Sequence, residues 1–199
     1  MADEVGPDRI ARAREAGAGL VRRTPVIASG TLSERCGGAI ALKAESLQRT
    51  GSFKLRGALA KLAALGDAAQ GGVIAGSAGN HAQSVAYAAR ARGVPCEVFM
   101  PPDAPVAKTE AARALGATVH VAEGTVDECV AAALARAAEG GLAFVHPFDD
   151  PDVVAGQATL GLELLEDGPT SRASSSRWAA AGWPRGSRSR SRPSGPTSR

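Results

Sequence analysis

Two short stretches hold the residue types best suited to chemistry. The first is QRTGSFKLRGA, residues 48–58. Lys54 follows an apolar run and a glycine-containing turn, and it opens a segment with helical spacing. A lysine at a helix start faces the positive end of the helix dipole, which disfavours its charge. Burial acts in the same direction and leaves a free amine. A free amine is the form that makes a Schiff base with a carbonyl cofactor. Taken alone, the same residue also reads as a solvated lysine on an amphipathic helix.

The second stretch is VIAGSAGNHAQSVA, residues 73–86. An apolar strand runs into small residues and then into a helix that starts near Asn80. Small residues let the backbone approach a ligand closely. Unpaired N–H groups at a helix start suit a carboxylate or a phosphate. Ser77 and Asn80 add side-chain hydrogen bonding. Gly76 and Gly79 also fit a tight strand-to-helix turn with no ligand, and His81 fits a packed or capping residue. The dinucleotide fingerprint G-x-G-x-x-G is absent.

The other polar candidates carry less. His120 sits in an apolar strand pattern and reads as a core residue. His146 precedes Pro147 at a strand end and reads as structural. Lys43 and Glu45 follow strand alternation, and Lys108 reads as a solvated residue opening a helix. No cluster has metal-ligand spacing. Cys36, Cys96 and Cys129 are odd in number and widely spaced, which fits reduced thiols better than a disulfide framework.

The elements that must position these residues alternate. AIALKAE, GGVIAG, PCEVFMP, ATVHVAE and LAFVHPF read as buried strands. Ala-rich stretches with helical spacing separate them. This order implies an α/β fold, a parallel sheet with flanking helices. Gly66, Gly93, Gly116 and Gly140 mark helix ends, and Thr125 and Asp149 to Asp152 mark helix starts. PDRIARAREAGAGLVRRTP predicts an N-terminal helix that ends before Thr24-Pro25.

The net charge of +3 is unevenly distributed. Residues 171–199 carry seven Arg and no acidic residue, so the rest of the chain stands at −4. The basic balance is therefore weak support for a nucleic-acid surface on the fold. Residues 171–199 have neither helical nor strand period and are expected to be disordered. The start is acidic and lacks a long apolar run, and no stretch reaches transmembrane length. A cytoplasmic protein is expected, with no membrane and no nucleic acid among its partners.

Together the two motifs are far more specific than either alone. TGSFKLRGA followed by SAGNHAQ resembles the threonine dehydratase and serine racemase family of pyridoxal-phosphate enzymes. The resemblance runs from about residue 20 to 167. It includes RRTPV, SERCGGAIALKAESLQRTGSFKLRGA, FMPPDAPVAKTEAARALGATV and HPFDDPDVVAGQATLGLEL. It implies the tryptophan-synthase-β-like architecture, fold type II. Residues 1–54 and 151–170 then belong to an incomplete larger domain, and 55–150 form a smaller α/β domain.

The resemblance also implies roles. Lys54 is similar to the lysine that holds pyridoxal 5'-phosphate and then serves as general base. Phe53 is similar to the aromatic residue near the cofactor ring, and Asn80 to the residue that hydrogen-bonds its 3-oxygen. Ser77, Ala78, Gly79, Asn80 and His81 resemble the loop that binds the substrate carboxylate. Racemase members usually carry serine where Ala78 stands, so elimination is expected rather than racemisation. The implied activity is deamination of L-threonine to 2-oxobutanoate, with L-serine as a second substrate, in amino-acid metabolism leading to isoleucine. Dehydration of 3-hydroxyaspartate and a catalytically dead fragment are the alternatives. The intact enzyme is expected to be a homo-oligomer.

One family element is missing. A glycine-rich phosphate loop, roughly VPVGGGGLASG, is expected after the helix that ends near Asp167. The chain reads SSSRWAAAGWPRG there. Decoded two bases later, residues 173–185 can spell VVVPVGGGGLASG; the tryptophan codons force one Gly and the Ala. Residues 171–199 are therefore expected to be an out-of-frame tail, shifted between about residues 166 and 170.

Overall fold

A computed structural model describes residues 5–167. The reading of residues 171–199 as a disordered, out-of-frame tail, and the replaced phosphate loop, lie outside the described residues.

The chain begins with helix α1 (Pro7–Ala16), followed by strand β1 (Val26–Ala28), helix α2 (Gly30–Cys36) and strand β2 (Ala41–Lys43). A 3-10 turn at Glu45–Leu47 leads to α3 (Lys54–Leu65). Then come β3 (Val73–Gly76), α4 (Asn80–Arg92), β4 (Cys96–Met100), α5 (Val106–Ala114) and β5 (Thr118–Val121). The described chain closes with α6 (Val126–Gly140), β6 (Ala143–Phe144) and α7 (Pro151–Asp167).

Four strands form a parallel sheet in the order β5-β4-β3-β6. Central β3 is buried along its whole length, as an uninterrupted apolar run in a parallel sheet should be. The expected strands at β2 and β5 form but are not buried. Among the described residues β2 pairs only with β1, antiparallel, and β5 is an edge strand, so each keeps faces open to solvent. The core joins Leu55, Leu59 and Leu62 of α3 to Val73 and Ala75 of β3, Val85 and Ala89 of α4, and Val153 of α7.

Two close approaches depend on glycine. α3 crosses α7 at Gly57 and Gly156, where a Cβ on Gly156 would lie 2.5 Å from both the Arg56 carbonyl oxygen and the Gly57 Cα. At the end of β3, a Cβ on Gly76 would lie 2.6 Å from the Cys129 carbonyl oxygen of α6.

Helix boundaries follow local chemistry, with some shifts. Thr125 accepts from the Glu128 N–H and Glu128 bonds back, a complete capping box. Asp150 Oδ1 accepts from the N–H groups of Asp152 at 2.9 Å and Val153 at 3.2 Å, starting α7. Gly66 and Gly93 cap their helices with positive φ, and α6 ends at Gly140 with Gly141 as its positive-φ cap. The N-terminal helix is shorter than its spacing suggests. It stops at Ala16, and Gly17 lies so close to Val21 Cγ2 that a Cβ would meet it at 2.8 Å.

Candidate active site

The candidate residues gather at the C-terminal ends of β3 and β6, the edge where parallel sheets of this kind bind ligands. Lys54 is the first residue of α3 and is 8% exposed. Its Nζ donates to the Pro147 carbonyl oxygen at 2.8 Å, in the loop after β6. Burial lowers its pKa from 10.5 to about 8. The lysine is therefore buried, and the solvated alternative does not hold. The Phe53 ring lies beside it, its centroid 5.5 Å from Nζ.

The loop after β3 faces the same region. Ser77 is buried, and its Oγ accepts from the Gly79 N–H at 3.1 Å. Ala78 and Gly79 are half-buried and Asn80 is exposed at the first position of α4. The first N–H groups of a helix have no intrahelical acceptor. Those of Asn80, His81 and Ala82 meet no carbonyl among the described residues. The Asn80 carbonyl oxygen accepts from Ser84 Oγ at 2.7 Å, and Ser84 Oγ lies 3.2 Å from Thr50 Oγ1. These contacts tie the α4 start to the turn that precedes Lys54.

His81 is 3% exposed. Burial lowers its pKa to about 4, against a hydrogen bond to Val145 and with help from the charges of Lys54 and His146. The ring is thus neutral near pH 7. Its Nε2 donates to the Val145 carbonyl oxygen at 2.9 Å, which leaves Nδ1 as a buried acceptor without a partner. Ser52 Oγ, two residues before Lys54, is also buried and unpartnered. Unpaired buried polar atoms are uncommon away from functional sites.

His146 has the structural place expected of it. Its Nδ1 accepts from the N–H groups of Phe148 at 3.2 Å and Asp149 at 2.8 Å, and its ring packs edge-on between Phe144 and Phe148. His120 is not in the core. It stacks on Phe99 at 4.7 Å and bonds Glu97 at 2.8 Å on the outer part of the sheet, because β5 is an edge. Lys108 is half-buried rather than solvated, with Nζ donating to Gln83 Oε1 at 3.2 Å. Cys96 and Cys129 are buried free thiols, and burial pushes Cys96 up to about 12. No group of His, Cys, Asp or Glu among the described residues could hold a metal ion.

Strand alternation places Lys43 and Glu45 on one side but misses what they do. Arg56 is 2% exposed and donates to Glu45 through Nε and Nη2, both at 2.9 Å. It also donates to Glu163 at 2.8 and 3.0 Å and to Thr159 at 3.3 Å. Lys43 Nζ completes the group, 2.7 Å from Glu163 and 3.1 Å from Asp167. Thr24 Oγ1 donates to Glu45 at 2.6 Å. This buried network fixes the first turn of α3, and with it the backbone that carries Lys54, against β2 and α7.

A buried amine beside a helix start, on the open edge of a parallel sheet, suits attachment of a carbonyl cofactor. Residues 18–176 match the family described as pyridoxal-phosphate dependent enzyme, and the chain belongs to that family. It has the fold-type-II architecture, α/β with a parallel sheet and flanking helices. The cofactor of the family is pyridoxal phosphate.

Among its relatives is an L-threonine ammonia-lyase of Thermotoga maritima, 50% identical over 151 residues, covering 75% of this chain and 38% of that protein. A threonine deaminase structure from T.th. aligns at TM-score 0.74 with 46% identity, covering 81% of this chain and 51% of that one. Maize serine racemase aligns at TM-score 0.77 with 34% identity, covering 82% and 50%. The chain spans about half the length, or less, of the relatives it matches. No helix among the described residues is long and apolar enough to cross a membrane.

Proposed function

We propose that this chain carries the lysine and carboxylate-loop half of an amino-acid ammonia-lyase site. The reaction is conversion of L-threonine to 2-oxobutanoate and ammonia, with L-serine giving pyruvate. The carrying observation is the buried Lys54 amine, held by Pro147 and lowered to about 8, beside the unpaired N–H groups of α4. The residues present fit pyridoxal phosphate. Lys54 would be the attachment point, with Phe53 beside the ring and Asn80 as hydrogen-bond partner of its 3-oxygen. Ser52 Oγ and His81 Nδ1 are buried polar atoms still open to a partner.

When bound, the cofactor supplies an electron sink for negative charge at the substrate Cα. The rest falls to the protein. The N–H groups at the start of α4, with Ser77, Gly79, Asn80 and His81, hold the substrate carboxylate. Lys54 takes the Cα proton, a role open to an amine that is substantially neutral near its lowered pKa. Ala78 has no proton to offer the opposite face, which favours elimination. Under this reading residues 55–150 form the smaller domain, while 1–54 and 151–170 belong to the larger, and the intact enzyme is a homo-oligomer.

Borohydride reduction of the chain with pyridoxal phosphate, followed by peptide mass analysis, tests the site. Fixation on the Lys54 peptide, with 2-oxo acid released from threonine, supports the proposal. Cofactor that washes away after reduction overturns it for this chain and leaves a catalytically dead fragment. Faster turnover of 3-hydroxyaspartate than of threonine would change the substrate.

A further inference from the structure

Among the described residues, α3 begins unlike the other α-helices. In α4, α6 and α7 the N–H four residues past the cap donates to the cap carbonyl: Gln83 to Gly79 at 3.2 Å, Cys129 to Thr125 at 3.1 Å and Val154 to Asp150 at 2.9 Å. At the start of α3 the Phe53 carbonyl oxygen accepts instead from the Arg56 N–H, three residues on, at 3.0 Å. The Gly57 N–H, which stands fourth, donates to Oε1 of Gln157 on α7 at 3.3 Å, across 100 residues of sequence. The turn that opens with Lys54 is thus closed by a side chain from another helix.

Gln157 is 1% exposed, and its Nε2 is a buried donor with no acceptor among the described residues. A core amide whose N–H groups go unmet costs more than an apolar side chain of the same shape. Stability therefore does not account for it. The backbone makes room for it all the same. A Cβ on Gly57 would lie 2.4 Å from Gln157 Nε2 and 2.8 Å from the Val153 carbonyl oxygen. The same stretch of chain also holds the other end of Lys54, because the Pro147 carbonyl that receives Nζ at 2.8 Å lies in the loop leading into α7.

We propose that Gln157 is a positioning residue for Lys54: by taking the Gly57 N–H it keeps the first turn of α3 tight and aims the amine at the Pro147 carbonyl. This rests on the reading of Lys54 as the reacting amine. Without the amide, the Gly57 N–H falls back on the Phe53 carbonyl four residues away. A three-residue turn winds about 120° per residue and an α turn about 100°, so relaxation rotates Lys54 about the helix axis. The amine then leaves its shielded place and gains water.

The test follows Lys54 in the full 199-residue chain without cofactor, by trace acetylation as a function of pH and peptide mass analysis. The midpoint of the profile reports protonation of the amine and, unlike the rate, does not depend on access. The parent should show about 8. Gln157→Met keeps the shape and removes the acceptor. Its midpoint should rise by about one pH unit, about a tenfold loss of neutral amine below the midpoint, while thermal unfolding stays level or rises. Gln157→Asn, one methylene short of Gly57, should move the midpoint the same way. Val153→Ala, a buried position one turn earlier on α7, should do the reverse, with a lower unfolding temperature and an unmoved midpoint. His81 and His146, whose charges reach Lys54 from α4 and from the loop after β6, are unaltered in all three.

A midpoint that stays at the parent value in folded Gln157→Met or Gln157→Asn overturns the proposal. A rise of the same size in Val153→Ala also overturns it and makes the effect one of general packing. Unfolding of both Gln157 variants overturns it too, because the amide then serves stability. So does a parent midpoint near the ordinary 10.5, which leaves no positioned amine to lose. Failure of borohydride fixation in the parent, with the midpoints moving as expected, overturns the cofactor reading and leaves the role of Gln157 standing.

Discussion

The Lys54 ammonium and the Pro147 carbonyl oxygen meet at 2.8 Å across 93 residues of sequence. One belongs to the start of α3 and the other to the loop between β6 and α7. The contact orients Nζ toward the strand ends and keeps it shielded. Burial is what lowers its pKa to about 8.

The lowered pKa gives a signed pH dependence. Cofactor attachment to Lys54 should strengthen as pH rises through about 8, because the neutral amine is the reacting form. The folded-state pKa lies below the ordinary 10.5, so the unfolded chain binds the extra proton between those values. This group's contribution to stability therefore rises with pH over that window and is unfavourable below it. Lys54→Met removes a burial penalty on the order of 3 kcal/mol at pH 7, offset by a lost hydrogen bond of about 1 kcal/mol. Urea unfolding should show the variant more stable than the parent at pH 7, with the difference shrinking toward pH 10.

Arg56→Met should be severe. It leaves Glu45 and Glu163 buried without their main counter-ion, at a cost of about 3–5 kcal/mol. Burial works to raise the Glu163 pKa, but hydrogen bonds from Arg56 and Lys43 hold it below the ordinary 4.5. Its contribution is thus present above that ordinary value and lost as pH falls through the lower, folded one. The parent should lose stability on acidification across that range, and Arg56→Met should lose less. Urea midpoints from pH 7 down to pH 3 provide the comparison.

Gly156→Ala sets a methyl group against the backbone of Arg56 and Gly57 at 2.5 Å. No side chain can move aside there, so α7 must lift from α3. A loss of about 1–3 kcal/mol is expected, with cofactor fixation on Lys54 weakened in parallel. Gly161→Ala, on the same helix with open space around it, is the control and should be neutral or slightly stabilising.

Ala78 stands between Ser77 and Gly79 in the loop assigned to the carboxylate. The chain should deaminate L-serine without producing D-serine, as chiral chromatography of the residual substrate would show. Ala78→Ser introduces a hydroxyl able to carry a proton and should produce measurable D-serine. Racemisation by the unmodified chain faster than deamination would remove the assigned role of Ala78.

Much of this protein is written locally. The buried β3, the helix start at Lys54, the capping box of Thr125 and the turn glycines at Gly66 and Gly93 depend on residues within a few positions of one another. Hydrophobic period, capping and positive φ act at that range, so sequence reading reaches them. The motifs around Lys54 and Asn80 are similarly contiguous, and their order along the chain carried the family. Outcomes at His120 and Lys108 differ because burial depends on which strand is an edge and which helix packs across a loop.

The sequence by itself determined the α/β class, the parallel order of strand and helix, and the two motifs that define the site. The tertiary structure alone decided their environment. Arg56 meets Glu45 from 11 positions away and Glu163 from 107, and Lys108 meets Gln83 from 25. Charge, pKa and unsatisfied hydrogen bonds belong to side chains brought together by packing, because desolvation and Coulomb attraction depend on distance through space and not along the chain.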